Sequence, residues 1–192
     1  QDLLRHTSGL TYGEAGANLV KQAYVDAGLP NTKEGSAQFI ARLAKTPLLF
    51  QPGTTWEYSM STDVLGVIVE RVSGMSLDRF VVERIAKPLK LPDTGFAAPM
   101  SEAARGARPQ REGPKNVVPN IPLVTDVAAF KGGGGGMVST AADYARFCQF
   151  FLNRGELDVV CLVSPKTIEL MTANHLAPGT PIGPDMVRFE AD

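Results

Sequence analysis

The chain has 192 residues, with 19 Lys and Arg against 20 Asp and Glu, so its formal net charge is −1. This balance argues against a nucleic-acid-binding protein, which normally carries a basic excess or a basic stripe. Hydrophobic residues make up 44% of the chain, enough for a core, and no apolar run approaches the roughly 18 residues of a membrane span. Two cysteines are too few for a disulfide scaffold, so we expect a globular domain held by its core.

The ends of the sequence resemble the interior of a longer chain. Residues 1–10 lack the charged and apolar segments of a signal peptide, and residues 186–190 resemble a strand that begins and then stops. We therefore expect a fragment. With no signal peptide in view, a cytoplasmic location is slightly favoured, and the sequence favours no particular oligomeric state.

Helical patterns dominate the chain. Apolar residues at helical spacing, with capping residues before them and Gly or Pro after them, predict helices over 14–27, 36–46, 62–73, 76–85, 141–153 and 164–171. The third helix is expected to bury a stripe that includes Ile68 and Val72, and the fifth to bury Cys148 as a packed thiol.

Strand patterns are sparse. Residues 92–136 contain many prolines and no sustained periodicity, which predicts a functional loop or a wall of the substrate site, with one short strand at 116–124. Most of any sheet is therefore expected to lie outside this chain.

Most general catalytic and cofactor motifs are absent. His6 and His175 are the only histidines and belong to no zinc motif. The glycine run, residues 132–136, is not followed by the Gly-Lys-Ser/Thr of a phosphate loop, so it indicates a tight backbone passage. No G-x-S-x-G elbow is present. We predict no metal and no cofactor.

The most informative segment surrounds Tyr58, which lies between a Pro-Gly turn and the third predicted helix. A tyrosine is a poor base at its ordinary pKa of about 10 and needs a neighbouring cation to stabilise its phenolate. The local sequence supplies none, so these residues alone favour a half-buried structural tyrosine. The segment reads Pro52-Gly53-Thr54-Thr55-Trp56-Glu57-Tyr58-Ser59-Met60-Ser61.

Several blocks together resemble the serine β-lactamase/penicillin-binding-protein superfamily. The similarity is greatest to the class-C-like branch, in particular the family VIII carboxylesterases, and covers nearly the whole chain. The matching blocks are Leu3-Leu4-Arg5-His6-Thr7-Ser8-Gly9-Leu10, the segment around Tyr58, Asp63-Val64-Leu65-Gly66, Val72-Ser73-Gly74, Ile85-Ala86-Lys87-Pro88-Leu89, Asp93-Thr94-Gly95-Phe96, the glycine run with its following Met137-Val138-Ser139-Thr140, Asn153-Arg154-Gly155-Glu156-Leu157 and Leu162-Val163-Ser164-Pro165.

The resemblance implies an α/β (α+β) two-lobed serine β-lactamase/transpeptidase-like fold. Residues 1–192 would be the central, mainly helical part of that domain, with most of the antiparallel sheet missing. In the family, a serine of Ser-x-x-Lys attacks an acyl carbonyl and forms an acyl-enzyme, while the lysine and a tyrosine carry the proton. The match makes Tyr58 that catalytic tyrosine and implies a small ester or amide as substrate. Ser59, beside the tyrosine, is a candidate substrate-binding residue that lines the cleft. Trp56 is a candidate wall of the acyl pocket, with core packing as the alternative.

The sequence departs from the family in three ways. Met60 stands where β-lactamases carry an asparagine, and it cannot donate the amide hydrogen bond, which favours an esterase over a β-lactamase. No serine has lysine three residues later, and no Lys-Thr-Gly or equivalent strand is present. We expect the nucleophile upstream and the oxyanion strand downstream, so this chain alone should not turn over substrate.

Three functions remain open from the sequence. The first is a serine carboxylesterase, the second is a β-lactamase or D-alanyl-D-alanine carboxypeptidase, and the third is a non-catalytic binding relative of the same fold. His6 is expected to be structural, hydrogen-bonded in the turn of residues 7–9, because the family uses tyrosine and lysine as its acid–base groups.

Overall fold

The computed structural model describes residues 1–14, 16–108 and 122–183, which form six α-helices and one small sheet. No described helix is long and apolar enough to cross a bilayer. The helices are α1 (Leu19–Asp26), α2 (Ser36–Leu43), α3 (Ser61–Ser73), α4 (Leu77–Val81), α5 (Ala141–Leu152) and α6 (Pro165–Thr172). A π-helical turn at Val82–Ala86 continues α4, a 3₁₀-helix covers Met100–Arg105, and β1 (Glu156–Leu157) pairs antiparallel with β2 (Val160–Cys161).

Local capping places most of the helix ends. The side chain of Thr140 accepts a hydrogen bond from the backbone N–H of Asp143 at the start of α5, and Ser164 does the same for Thr167 at the start of α6. Gly74 ends α3 in the left-handed conformation, with φ of 67°. The two hydroxyl side chains and the N–H of Gly74, which donates to the carbonyl of Glu70, satisfy helix-terminal groups and confirm the predicted boundaries there.

The first helix begins later than predicted. Asn18, not residue 14, is its N-cap, and its side chain accepts a 2.9 Å hydrogen bond from the N–H of Lys21. Gly16, at φ of +75°, has a backbone conformation that no right-handed helix contains. The prediction of a helix over 14–27 was therefore wrong in its first turn.

The buried faces of α3 and α5 also differ from the predicted stripes. In α3, Gly66 and Val67 are buried, whereas Val72 is 84% exposed. In α5 it is Phe150 that enters the core, and Cys148 is exposed, so the prediction of a packed thiol was wrong. Apolar residues surround much of both helices, so periodicity alone did not show which side faces the core.

Two hydrophobic clusters form the core, and Met60 ties the Tyr58 segment to the first of them. In this first cluster the rings of Phe39 and Phe130 stack with their centroids 4.4 Å apart. Its buried members are Tyr24, Leu29, Phe39, Leu43, Met60, Val67 and Phe130; the second comprises Ala86, Leu89, Leu91, Phe150, Leu157 and Ile168.

The described residues contain very few strand pairs. Besides β1 and β2, Trp56 forms a parallel bridge with Ile182, and Gly95 an antiparallel bridge with Val138. Most of the predicted strand at 116–124 lies outside the described residues, and the chain is not extended into a strand at 122–124. The scarcity of strands agrees with the expectation of a mainly helical chain.

The glycine run packs directly against the first turns of α3. A Cβ at Gly133 would collide with the backbone carbonyl of Thr62, and a Cβ at Gly66 would lie 3.0 Å from the N atom of Gly133. Backbone therefore meets backbone at this contact, and a side chain has no space there. By contrast, a Cβ at Gly135 would meet no atom within 4 Å.

We predict that Gly133→Ala destabilises the protein by about 1–3 kcal/mol, because the added methyl group must push two backbone segments apart. Gly135→Ala is the matched control and should change the free energy of unfolding by less than about 1 kcal/mol. Denaturant unfolding of both variants measures the difference. Equal midpoints for the two variants would contradict the close packing of the run on α3.

Candidate active site

Exposure alternates along the segment that carries Tyr58. Thr55, Glu57 and Ser59 are buried, whereas Trp56 is partly exposed and Tyr58 is 41% exposed. Successive side chains of an extended backbone point to opposite sides, so the two aromatic residues share the outer side. The segment thus presents Tyr58 while the residues on either side of it anchor in the interior.

Backbone hydrogen bonds hold this segment on two sides. The N–H of Trp56 donates to the carbonyl of Pro181 at 2.9 Å, and the N–H of Gly183 donates to the carbonyl of Trp56 at 2.7 Å. On the other side, the N–H of Glu57 donates to the carbonyl of His6 at 2.9 Å. Tyr58 therefore follows a backbone stretch bonded to both the start of the chain and residues 181–183.

The ring of Tyr58 lies between two other aromatic rings. Its centroid is 5.4 Å from that of His6 and 5.4 Å from that of Tyr12. Burial is the main cause that raises the pKa of Tyr12, followed by the charge of Asp63 and the proximity of Tyr58. Tyr12 therefore remains a neutral phenol beside Tyr58 and can donate a hydrogen bond.

Asp63, in the first turn of α3, joins Tyr12 to the glycine run. Its carboxylate is within hydrogen-bonding reach of Tyr12 and accepts a 3.1 Å hydrogen bond from the N–H of Gly134. Burial raises the pKa of this carboxyl, and the hydrogen bonds from Gly134 and Tyr12 partly offset that rise. The same acidic group thus fixes the run and faces the tyrosines.

Glu57 is a buried carboxylate with a buried cationic partner. It is only 1% exposed, and its Oε1 lies 3.7 Å from the Nζ of Lys21 in α1 and 3.3 Å from the hydroxyl of Thr11, which donates to it. Lys21 also lies 3.6 Å from a carboxylate oxygen of Glu14. A Cβ on Gly183 would collide with the Glu57 carboxylate, so only glycine fits there. Charge pairing therefore links α1 to the residue before Tyr58.

Ser59 is in a different position from the one expected of a substrate-lining residue. Its side chain has no exposed surface, and its hydroxyl lies 2.8 Å from that of Ser61 and 3.3 Å from Nδ1 of His6. No atom of Ser59 is open to a ligand in this arrangement. The expected partner of His6 was also wrong, since His6 bonds Ser59 and not the turn of residues 7–9. Trp56 is partly exposed, with its ring 5.8 Å from that of His6, and its role in substrate binding stays a prediction.

Four residues of this site were not singled out from the sequence. Nothing in the sequence marked Glu57 and Lys21 as partners, because a glutamate and a lysine 36 positions apart are normally expected at the surface. Asp63 could have been noticed, because an acidic residue in the first turn of a predicted helix can stabilise the helix terminus and need not face solvent. Tyr12 lies outside every predicted helical face.

Among the described residues, no group of His, Cys, Asp and Glu has the arrangement needed to hold a metal ion. The polar groups around Tyr58 are instead a phenol, an imidazole and a carboxylate, which can transfer or position protons.

We predict that Glu57→Gln destabilises the protein by about 1–3 kcal/mol, because the buried charge of Lys21 loses one of its two nearby carboxylates and keeps the partly exposed Glu14. Glu83→Gln is the matched control: Glu83 pairs with Arg79 on the surface, where solvent screens the interaction, and should shift the melting temperature little. Thermal unfolding of both variants gives the comparison. A small loss in the Glu57 variant would show that this pair does not anchor the segment.

The pH dependence of stability should carry a contribution from His6. Burial lowers the pKa of His6 in the folded protein, with the charge of Asp63 opposing the effect. In the unfolded chain His6 takes up a proton at about pH 6.5, whereas in the folded protein it does so only at a lower pH. The free energy of unfolding therefore falls as the pH drops from the unfolded pKa toward the folded pKa.

We expect His6→Asn to remove this part of the acid slope, and His175→Asn, at an exposed position, to keep it. Denaturant unfolding at stepped pH between 7.5 and 5 measures both slopes. An unchanged slope in the His6 variant would contradict the assignment.

Comparisons with known proteins are consistent with this geometry. The family model described as Beta-lactamase matches residues 1–192. Protein Rv1367c of Mycobacterium tuberculosis is 38% identical over 180 residues, which are 92% of this chain and 44% of that protein. Esterase EstB of Burkholderia gladioli is 33% identical over 165 residues, covering 75% of this chain and 42% of the esterase.

Among solved structures, "EstCE1, a hydrolase with promiscuous acyltransferase activity" matches with a TM-score of 0.68 and 28% identity, over 94% of this chain and 52% of the other. This chain therefore spans about half or less of the proteins it matches. The expected fold is confirmed: the described residues are the helical part of a β-lactamase/transpeptidase-like fold, with little of its sheet. The chain belongs to the Beta-lactamase family.

Proposed function

We propose that this chain supplies the acid–base tyrosine, Tyr58, of a serine carboxylesterase that acts on small esters through an acyl-enzyme. The nucleophilic serine and its lysine would come from the rest of the whole protein, because no Ser-x-x-Lys occurs in these 192 residues. The chain alone is therefore expected to be inactive.

In this mechanism Tyr58 moves one proton in each half of the reaction. It takes the hydroxyl proton of the nucleophilic serine as that oxygen bonds to the ester carbonyl carbon, and it returns the proton to the departing alkoxide, which leaves as an alcohol. A water molecule then attacks the acyl-serine by the same exchange and releases the carboxylic acid. The nearby lysine would lower the free energy of the phenolate.

The observation that carries the proposal is the presentation of Tyr58. Its side chain is 41% exposed although the residues on both sides of it, Glu57 and Ser59, are buried and bonded in the interior. A half-buried structural tyrosine would show a similar exposure, so the argument for catalysis is that the exposed ring is held by anchored neighbours on both sides, as an acid–base group that reaches the substrate from a fixed position must be. The match to Esterase EstB over 75% of this chain supports the same assignment.

The surroundings of Met60 favour an ester over a β-lactam or a D-alanyl peptide as substrate. Met60 has no exposed surface and belongs to the first hydrophobic cluster, so no hydrogen-bond donor reaches the substrate side from this position. Position 60 therefore offers no side-chain amide to the carbonyl of an amide substrate, unlike the asparagine of β-lactamases. Turnover of nitrocefin faster than of p-nitrophenyl butyrate by the whole protein would support the β-lactamase alternative.

We predict that Tyr58→Phe in the whole protein lowers kcat/KM for p-nitrophenyl butyrate by about 10²–10⁴-fold, the usual contribution of a general acid–base group. The ring stays, so the melting temperature should change little. Tyr144→Phe, which removes the hydroxyl of a tyrosine 63% exposed on α5, is the matched control and should keep full activity.

Retention of more than about a tenth of kcat/KM by Tyr58→Phe would contradict the catalytic role. If the whole protein shows no turnover and no acylation with any activated ester, the result favours a non-catalytic binding protein over an esterase.

A further inference from the structure

Ile182 pairs with Trp56 through the backbone. The N–H of Trp56 donates to the carbonyl of Pro181, and the N–H of Gly183 donates to the carbonyl of Trp56, which makes Ile182 the parallel partner of Trp56. Paired residues of neighbouring extended segments have their side chains on the same face. The side chain of Ile182 therefore lies on the face of Trp56, which is also the outer face that carries Tyr58.

Gly183 gives independent evidence for the direction of the Ile182 side chain. A Cβ at position 183 would collide with the carboxylate of Glu57, which is buried, so position 183 faces the interior. Side chains of successive residues alternate along an extended segment, so Ile182, one residue earlier, faces outward. Its side chain is 56% exposed, in agreement with both arguments.

The surface that Ile182 extends is apolar and continuous with Tyr58. The ring of His6 lies 5.8 Å from that of Trp56 and 5.4 Å from that of Tyr58, so the imidazole links the two aromatic residues. Trp56 and Tyr58 both have exposed surface. A single exposed apolar residue is ordinary, whereas apolar surface that adjoins a candidate reacting group is typical of a ligand site. We call Ile182 and Trp56 together the apolar wall.

The apolar wall is held in a fixed position. Two backbone hydrogen bonds, of 2.9 Å and 2.7 Å, join Trp56 to the residues on either side of Ile182. The close approach of Gly183 to Glu57 fixes the same segment from the interior. A preformed apolar surface needs no ordering when a ligand binds, and each methylene group that leaves water raises the affinity about fourfold.

We propose that Ile182 is a specificity-determining residue: together with Trp56 it binds a hydrocarbon chain of the ester whose carbonyl reacts beside Tyr58. The preferred substrates are therefore esters with an apolar chain of several carbons and not acetate-sized esters. The proposal rests on the proposed function, because it assigns the apolar wall to the substrate of Tyr58. Either the acyl half or the alcohol half of the ester can carry the chain, and the two cases give different results in the experiment.

Two series of esters measure the preference in the whole protein. The ratio of kcat/KM for p-nitrophenyl octanoate to that for p-nitrophenyl acetate reports an apolar acyl chain, and the ratio for octyl acetate to ethyl acetate reports an apolar alcohol. We expect one of these two ratios to exceed about ten, because several methylene groups leave water at the wall.

Substitution of Ile182 should lower the same ratio. Ile182→Thr keeps the β-branched shape but replaces apolar surface by a hydroxyl, and we expect the ratio to fall about 3- to 10-fold while kcat/KM for the short ester changes little. Ile182→Val stays apolar and should keep most of the preference. Leu170→Thr, at a residue 61% exposed on α6, is the matched control and should leave both ratios unchanged.

Equal losses for the long and the short ester in Ile182→Thr would indicate a merely structural residue and would overturn the proposal. Ratios as unchanged in Ile182→Thr as in Leu170→Thr would do the same. A lower melting temperature of Ile182→Thr with unchanged ratios would show that another part of the whole protein covers this residue, which also contradicts the proposal.

Binding of an unreactive ligand separates this proposal from the proposed function. Methyl heptyl ketone has a carbonyl and an apolar chain but no ester bond, and titration calorimetry of the whole protein measures its affinity. We expect Ile182→Thr to weaken its binding about 3- to 10-fold and Leu170→Thr to leave it unchanged. Equal affinities would overturn the apolar wall. If the whole protein hydrolyses no ester, or if Tyr58→Phe stays active, the proposed function fails, and the calorimetry still decides whether Ile182 binds an apolar chain.

Discussion

The ion pair between Glu57 and Lys21 is the interaction on which the arrangement around Tyr58 depends. Taking two charges out of water costs several kcal/mol per ion unless each finds a close partner, so such a pair tolerates little movement. Lys21 belongs to α1, and the carboxylate of Glu57 also contacts the hydroxyl of Thr11 and the backbone of Gly183. Four distant parts of the chain are therefore held together one residue before Tyr58, and the alternation of an extended backbone turns Tyr58 outward.

The opposite side of Tyr58 is fixed by uncharged rings and by one acidic group. The His6 and Tyr12 rings flank it at equal distances, and Asp63 couples Tyr12 to the glycine run. Side chains that are already fixed before substrate binds lose no conformational entropy during the reaction, which is the main physical advantage of a preorganised site. The glycine run contributes by close backbone packing on α3, a role consistent with the absence of any phosphate-loop motif after it.

Helix starts that depend on neighbouring residues were predictable from the sequence, whereas contacts between residues far apart in the chain were not. The starts of α5 and α6 were predicted from Thr140 and Ser164, because an N-cap side chain bonds a backbone N–H only two or three positions further along the chain. Tyr58 was found through a motif match. The partnership of Lys21 with Glu57 joins residues 36 positions apart, and no periodicity encodes it. Likewise, the exposed Cys148 shows that an apolar helix does not reveal which face the core will cover.

The central claim is that Tyr58 is held where it can exchange a proton with a nucleophilic serine supplied by the whole protein. A crystal structure of the whole protein with a phosphonate bound to its reactive serine tests this most directly. The account predicts that the Tyr58 hydroxyl lies about 2.6–3.2 Å from the serine Oγ, with the ring still between those of His6 and Tyr12. A Tyr58 hydroxyl too far away to reach that oxygen even through one water molecule, or a phosphonate bound to a serine within residues 1–192, would contradict it.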